Sequence, residues 1–333
     1  CGSIGAVIMG KEIHTEIVRK GLLEKDILIS NALVDMYTKC SGPRKAQEVF
    51  DQLRCRDVVS WNALMTGYAR HRHGEIALEC FQQMQGEGLA ANRVTLLCIL
   101  KACGCLGAIH VGEDIHARLK REGILPDDIL LNTTLVDMYA KCGALKKAHE
   151  VFDEIQGHNV ISWNALMAGY AQLGNDTDVV ELFNKMIRED IEPDPVSFTI
   201  VLNVCNHSGQ LDKGQMYIQM ISTTYSITPT LVHHICMVDL FGRAGNFEIA
   251  VAMIKKVPIS DYLPIWISLL GACQKWVNVS LGRWAFEKSI ELDENCGSAY
   301  ICMENIYAAA GMGMEAQLMF NRMRLVQVVD KQN

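Results

Sequence analysis

The chain has 333 residues, half of them hydrophobic, and a formal net charge of −7. That length suggests about two or three domains, and the acidic balance excludes a protein that grips phosphates mainly by bulk positive charge. No apolar run approaches the roughly 20 residues of a membrane span, so a soluble chain with no membrane partner is expected. The 13 cysteines are scattered through helical patterns without a CxxC, and read as reduced, small packing residues. Sequons at Asn132, Asn175, Asn206 and Asn278 carry no weight beside that cysteine usage.

In chain order, the elements form a repeat. Residues 1–26 hold an incomplete unit, CGSIGAVIMGKEIH, which returns as CGCLGAIHVGEDIH from Cys103. ILISNALVDMYTKC from Ile27 returns as ILLNTTLVDMYAKC from Ile129, an offset of 102 residues that also joins Phe50 to Phe152, Trp61 to Trp163 and Asn62 to Asn164. Inside that period lie units of 31, 35 and 36 residues at 27–57, 58–92 and 93–128, and the same length order returns at 129–159, 160–194 and 195–230.

Each unit predicts two helices. In 27–57, Leu33, Met36 and Tyr37 share a face, and Ser41-Gly42-Pro43 breaks the chain. Ala46, Val49, Phe50 and Leu53 then mark a second helix at i, i+3, i+4, i+7, with Pro43 suited to its first turn. Two short helices cannot bury their apolar faces alone, so neighbours must stack. The expected fold is all-α, a right-handed α-solenoid of tandem helix-turn-helix repeats with no strand.

Motifs that mimic chemistry do not hold together. Gly5-x4-Gly10-Lys11 fits GxxxxGK but lacks the Ser/Thr for Mg²⁺ and follows no strand. His14-Thr15-Glu16 mimics the HxE of zinc deaminases without their PCxxC. His233-His234 lacks spaced acidic or Cys partners and reads as scaffold, and Cys103-Gly-Cys105 is a lone CxC. The expectation is a non-enzyme: no catalytic residue, no metal, no cofactor.

Period, motifs and length order resemble the pentatricopeptide repeat (PPR) family, in the plant PLS subfamily of alternating long, short and standard repeats. The carrying motifs are VVSWNALMTGYAR, VISWNALMAGYAQ, two VDMYxKC runs and the EPD ending at Asp194. HHICMVDLFGRAGNFEIAVAMIKKVP resembles the last short repeat of such proteins, here 231–262. PIWISLLGACQKWVNVSLGRWAFEKSIELD and AYICMENIYAAAGMGMEAQLMFNRMR resemble the two E-type extension motifs, a TPR-like helical stretch at 263–333 with no DYW deaminase domain after it. The resemblance covers essentially the whole chain. It implies a sequence-specific adaptor on single-stranded organellar RNA that selects sites for C-to-U editing in chloroplast or mitochondrion. The implied partners are a deaminase-bearing PPR protein in trans and the multiple organellar RNA editing factors. The chain opens inside a long repeat, with neither initiator Met nor transit-like segment, and reads as a piece of a longer protein.

One repeat of such a solenoid meets one base of a splayed-out strand. Counted from each unit's first residue, position five holds Asn31, Asn62, Thr133 and Asn164, and the last position holds Asp57, Asn92, Asn159 and Asp194. In the family this pair selects the base. The implied word, parallel to the chain, is U, C or U, unspecified, A, U. Leu97, Thr199 and Ile235 at position five of 93–128, 195–230 and 231–262 leave their nucleotides open. Leu28, Val59, Val94, Leu130, Ile161 and Val196 at position two are, by resemblance, the residues that sandwich bases. Position thirteen reads Lys39, Arg70, Cys105, Lys141, Gln172, His207 and Arg243. Its basic members are a candidate phosphate rail, although basic residues also favour helix C-termini. The plainer role for the Asn residues is helix N-capping, and for Trp61 and Trp163 helix-packing core.

Two other functions stay open. A protein-interaction scaffold of tetratricopeptide type is disfavoured by the 31/35/36 alternation over 27–230, but not over 263–333. An organellar RNA stability or splicing factor with no editing role shares the same groove.

Overall fold

The structure is a computed structural model that describes residues 7–22, 26–40, 42–71, 73–125, 128–256 and 262–330. Cys1, the Gly5 of the GxxxxGK motif, Ser41 of the interhelical break and the last three residues of the extension lie outside the described residues. Among the described residues there are nineteen helices and no strand. The fold is the expected all-α solenoid of helix pairs.

A first helix, α1 (Val7–Arg19), precedes a series of hairpins. These are α2 (Ile27–Cys40) with α3 (Pro43–Asp51), α4 (Val58–Arg70) with α5 (Gly74–Gly86), α6 (Arg93–Leu106) with α7 (Ile109–Arg121), and α8 (Ile129–Lys141) with α9 (Leu145–Asp153); α10 (Val160–Gln172) and α11 (Asp176–Arg188) follow in sequence. They continue as α12 (Pro195–Ser208) with α13 (Leu211–Thr223), α14 (Leu231–Arg243) with α15 (Phe247–Lys256), α16 (Leu263–Trp276) with α17 (Val279–Leu292), and α18 (Gly297–Ala309) with α19 (Gly313–Asp330). First helices thus start at residues 27, 58, 93, 129, 160, 195, 231, 263 and 297.

Local chemistry sets these starts. Asp57, Asn92, Asn159 and Asp194 are extended and accept from the backbone N–H three residues on, while the Ser or Thr there bonds back to the cap, so both orphan donors are satisfied. Helices α6 and α12 end at Gly107 and Gly209, both left-handed at φ 70 and 67, which glycine adopts without strain.

The chain divides into two compact units, residues 1–173 and 174–333. In the first, α2, α4, α6, α8 and α10 lie side by side in order, and each second helix folds back on its partner. The second unit repeats the arrangement with α12, α14, α16 and α18. First helices approach closely: a methyl group added at Gly67 would lie 2.4 Å from Thr38 Cγ2, and one at Gly169 2.3 Å from Ala140 Cβ.

The core copies itself across the 102-residue offset. Phe50 and Trp61 meet edge-on at 4.6 Å between ring centroids, and Phe152 and Trp163 at 4.7 Å. Both tryptophans are fully buried, so their role is packing. His14 Nδ1 bonds the Tyr37 hydroxyl at 2.9 Å, and His116 Nδ1 the Tyr139 hydroxyl at 2.9 Å. The described cysteines are free thiols. Burial pushes Cys80, Cys103 and Cys273 up to about 12, which keeps them protonated and unreactive.

Candidate nucleic-acid interface

Position five sits inside the first helix, one turn past its start, where adjacent first helices meet. Asn31, Asn62, Thr133 and Asn164 are all buried there. None of them is a cap. Capping, which the sequence offered as their plainer role, belongs to the last residue of the unit, Asp57, Asn92, Asn159 or Asp194, which starts the next first helix.

The two positions meet. Asn31 Nδ2 donates to Asp57 Oδ1 at 3.2 Å, and Asn62 Nδ2 donates to Asn92 Oδ1 at 3.1 Å. One oxygen therefore serves two purposes. Asp57 Oδ1 also accepts the Ser60 N–H at 2.8 Å, and Asn92 Oδ1 the Thr95 N–H at 3.0 Å. The backbone donor at Thr95 fixes which way the Asn92 amide faces. Asp57 Oδ2 and Asn92 Nδ2 have no hydrogen-bond partner among the described residues. Asn31 Oδ1 and Thr133 Oγ1 are buried without a partner among the described residues. Asn62 Oδ1, by contrast, accepts from Thr95 Oγ1 at 2.8 Å.

Position two is the converse: apolar and outward. Leu28, Val59, Val94, Leu130, Ile161 and Val196 are between 44% and 74% exposed. Scattered exposed aliphatics are ordinary, but one per repeat at a fixed register is not. Val232 stands at the same position in α14, is also exposed, and was missed although the period points to it.

In the first unit one of these residues, Val94, lines a groove of about 510 Å³ across α4, α6 and α8, together with Arg70, Leu97, Lys101, Cys105 and Lys141 among others. The four proposed rail residues differ. Lys39 pairs with Asp35 at 2.6 Å, Lys141 with Asp137 at 2.7 Å and Arg243 with Asp239 at 3.0 Å, each one turn back on its own helix. Such exposed pairs contribute about 0–1 kcal/mol and open readily. Arg70 has no ion-pair partner among the described residues, and neither has Lys101, a groove cation absent from the position-thirteen series.

The long units are built otherwise. Leu97 brings no hydrogen-bonding group, and the last carboxylate of its unit, Asp128, is engaged by Arg93, whose Nη2 donates to Asp128 Oδ1 at 2.8 Å. That guanidinium holds the Asp128 carboxyl below its usual range. In 195–230 the Thr199 hydroxyl donates to the Pro195 carbonyl of its own helix at 2.8 Å. His233 is buried scaffold: Nδ1 accepts from the Thr230 N–H at 3.0 Å and Nε2 bonds the Pro195 carbonyl at 2.8 Å. No group of three or more His, Cys, Asp or Glu side chains that could hold a metal is found among the described residues. None of their helices is long and apolar enough to cross a membrane.

Comparison with known proteins fits this geometry. The PPR repeat family matches residues 56–105 and 158–207, and the PPR repeat matches 29–58 and 133–160. The chain is a pentatricopeptide repeat protein. Its relatives are of plant type. A chloroplastic pentatricopeptide repeat-containing protein of Arabidopsis thaliana is 38% identical over 93% of this chain and 42% of its own length. A mitochondrial one is 36% identical over 94% of this chain and 48% of its own length. The PPR chain thus spans less than half the length of these relatives. Its fold is similar to that of the pentatricopeptide repeat protein PPR10 solved in complex with an 18-nt psaJ RNA element, with a TM-score of 0.68, 15% identity, and coverage of 96% of this chain and 48% of that one.

Proposed function

We propose that this PPR protein is a sequence-specific single-stranded RNA-binding adaptor. It selects sites for organellar C-to-U editing and recruits a deaminase-bearing PPR protein in trans, together with multiple organellar RNA editing factors. The observation that carries the RNA reading is the recurrent pairing of position five with the last residue, beside one exposed aliphatic per repeat. The aliphatics offer apolar surface to base faces, and the cations Arg70, Lys101 and Lys141 line a groove with one of them, Val94.

The pairing accounts for selection in chemical terms. Uracil presents an N3–H donor and cytosine an N3 acceptor. The unpartnered Asp57 carboxylate oxygen accepts from the former, and the unpartnered Asn92 amide donates to the latter. Thr133 keeps a lone hydroxyl for its base. Where the carboxylate is engaged by Arg93, as in 93–128, that unit reads no base edge.

The residue roles carried by the resemblance stand as proposals: base selection by Asn31/Asp57, Asn62/Asn92, Thr133/Asn159 and Asn164/Asp194, and phosphate contact by Lys39, Arg70, Lys141 and Arg243. So does the division into a partial repeat at 1–26, repeats through 262 and an extension at 263–333. The chloroplastic and mitochondrial relatives support an organellar location. Two measurements test the proposal. Gel-shift titration should show preference for RNA bearing U, C or U, any base, A, U over a scrambled strand. Sequencing organellar transcripts after loss of the gene should show cytidines left unedited. Intact editing with altered transcript abundance or splicing would instead place the protein among stability or splicing factors.

A further inference from the structure

The C-terminal end of α16 carries the one strongly exposed tryptophan among the described residues. Trp276 is 50% exposed, while Trp61, Trp163 and Trp266 are buried. Its placement is fixed rather than loose. The indole Nε1 donates to the Arg243 carbonyl at 3.2 Å, and the ring lies over Gly245, where a methyl group would come within 3.2 Å of it. Lys275 Nζ donates to the same carbonyl at 3.0 Å and sits 5.7 Å from the ring centroid. The next residue, Val277, is left-handed at φ 53, an unfavourable state for a β-branched side chain. Asn278 then caps α17 through the Leu281 N–H.

The location matters as much as the exposure. Helices α14 and α16 are neighbours in the row of first helices. Arg243, the last basic residue of the position-thirteen series, ends α14, and Trp276 ends α16. The basic residue that ends α14 is therefore followed, on the next first helix, by an aromatic surface held on the Arg243 main chain with the Lys275 ammonium beside it. Aromatic faces beside cations suit stacked bases with phosphates alongside, and the stacking is tolerant of base identity. A protein-binding hot spot would call for an apolar surround, whereas this ring has the Lys275 ammonium beside it.

We propose that Trp276, with Lys275 and Arg243, forms a stacking subsite in the extension for one RNA base lying 3′ of the nucleotide met by the last repeat; this rests on the RNA reading above. Two oligonucleotides test it, one ending at the base of the last repeat and one extended at its 3′ end by several uridines. The extended strand should bind about tenfold tighter and quench the exposed tryptophan emission, since stacking one base on an aromatic is worth roughly that much. Trp276→Ala should erase the advantage while leaving the shorter strand's affinity unchanged, and Trp276→Phe should keep most of the advantage but lose the quench. If both strands bind the unaltered chain equally, or if Trp276→Ala weakens them equally, the subsite is wrong while the groove reading survives. An extended-strand advantage that outlasts Trp276→Ala overturns it too, and leaves the ring to a protein contact. If neither strand binds, the RNA reading falls and the subsite with it.

Discussion

Thr133 offers the sharpest test, because its hydroxyl is buried with no partner among the described residues. Its neighbour Thr134 shows what satisfaction looks like: that hydroxyl donates to the Leu130 carbonyl at 2.8 Å. A buried polar group left unbonded costs about 1–3 kcal/mol. Thr133→Val keeps the branched shape, has a similar helix propensity and removes the orphan. The free protein should therefore gain about 1 kcal/mol, seen as a higher urea midpoint at unchanged slope. The same change deletes the proposed contact to adenine, so preference for A at that position should fall about tenfold, near 1.4 kcal/mol. Urea unfolding and competition binding with strands differing only at that base measure the two effects. Loss of stability would show that the hydroxyl is satisfied in solution. A gain in stability with the adenine preference intact would show that Thr133 does not read the base.

Three further outcomes are expected. Thr133→Asn with Asn159→Asp rebuilds the Asn31–Asp57 pair 102 residues downstream, and should move that unit's preference from A to U by about 1–3 kcal/mol, measured by gel-shift titration. Arg70→Ala should weaken binding to all sequences alike and lower the salt slope by about one, and Asp137→Asn, by releasing Lys141, should tighten binding at low salt. Burial holds His14, His116, His233 and His234 below their ordinary 6.5, so folding disfavours their protonation. Their share of stability is complete above 6.5 and is lost as pH falls from there toward their folded values; urea midpoints should drop across that window, and His116→Gln should reduce the drop.

Much of the fold was legible because the repeat carries its own punctuation. Cap residues such as Asp57 and Asn92 precede each apolar stripe, so helix starts could be read locally. The partnership of Asn31 with Asp57 could not: it spans 26 residues, and spacing shows which residues share a face, not which faces touch. For the same reason capping stood open as the alternative role of position five, whereas the structure places it at the last residue of the unit. The Asp35–Lys39 and Asp137–Lys141 pairs lie at helical i,i+4 spacing and were there to be read, but basic residues were counted singly. Lys101 escaped because it stands one turn before Cys105, outside the register followed. Trp276 stands in the extension, outside the code positions, and its exposure depends on the packing of α14 against α16, which spacing alone does not show.

The doubly bonded oxygen of Asp57 constrains how such a protein changes its target. That atom both holds Asn31 and starts α4. A substitution there alters recognition by one repeat and the folding of the next together. Only short polar side chains cap well, and replacing one by alanine costs roughly 0.5–2 kcal/mol. The alphabet available at this position is therefore small before any RNA is present, and engineered variants that draw from Asp, Asn, Ser and Thr should express while others accumulate misfolded chain.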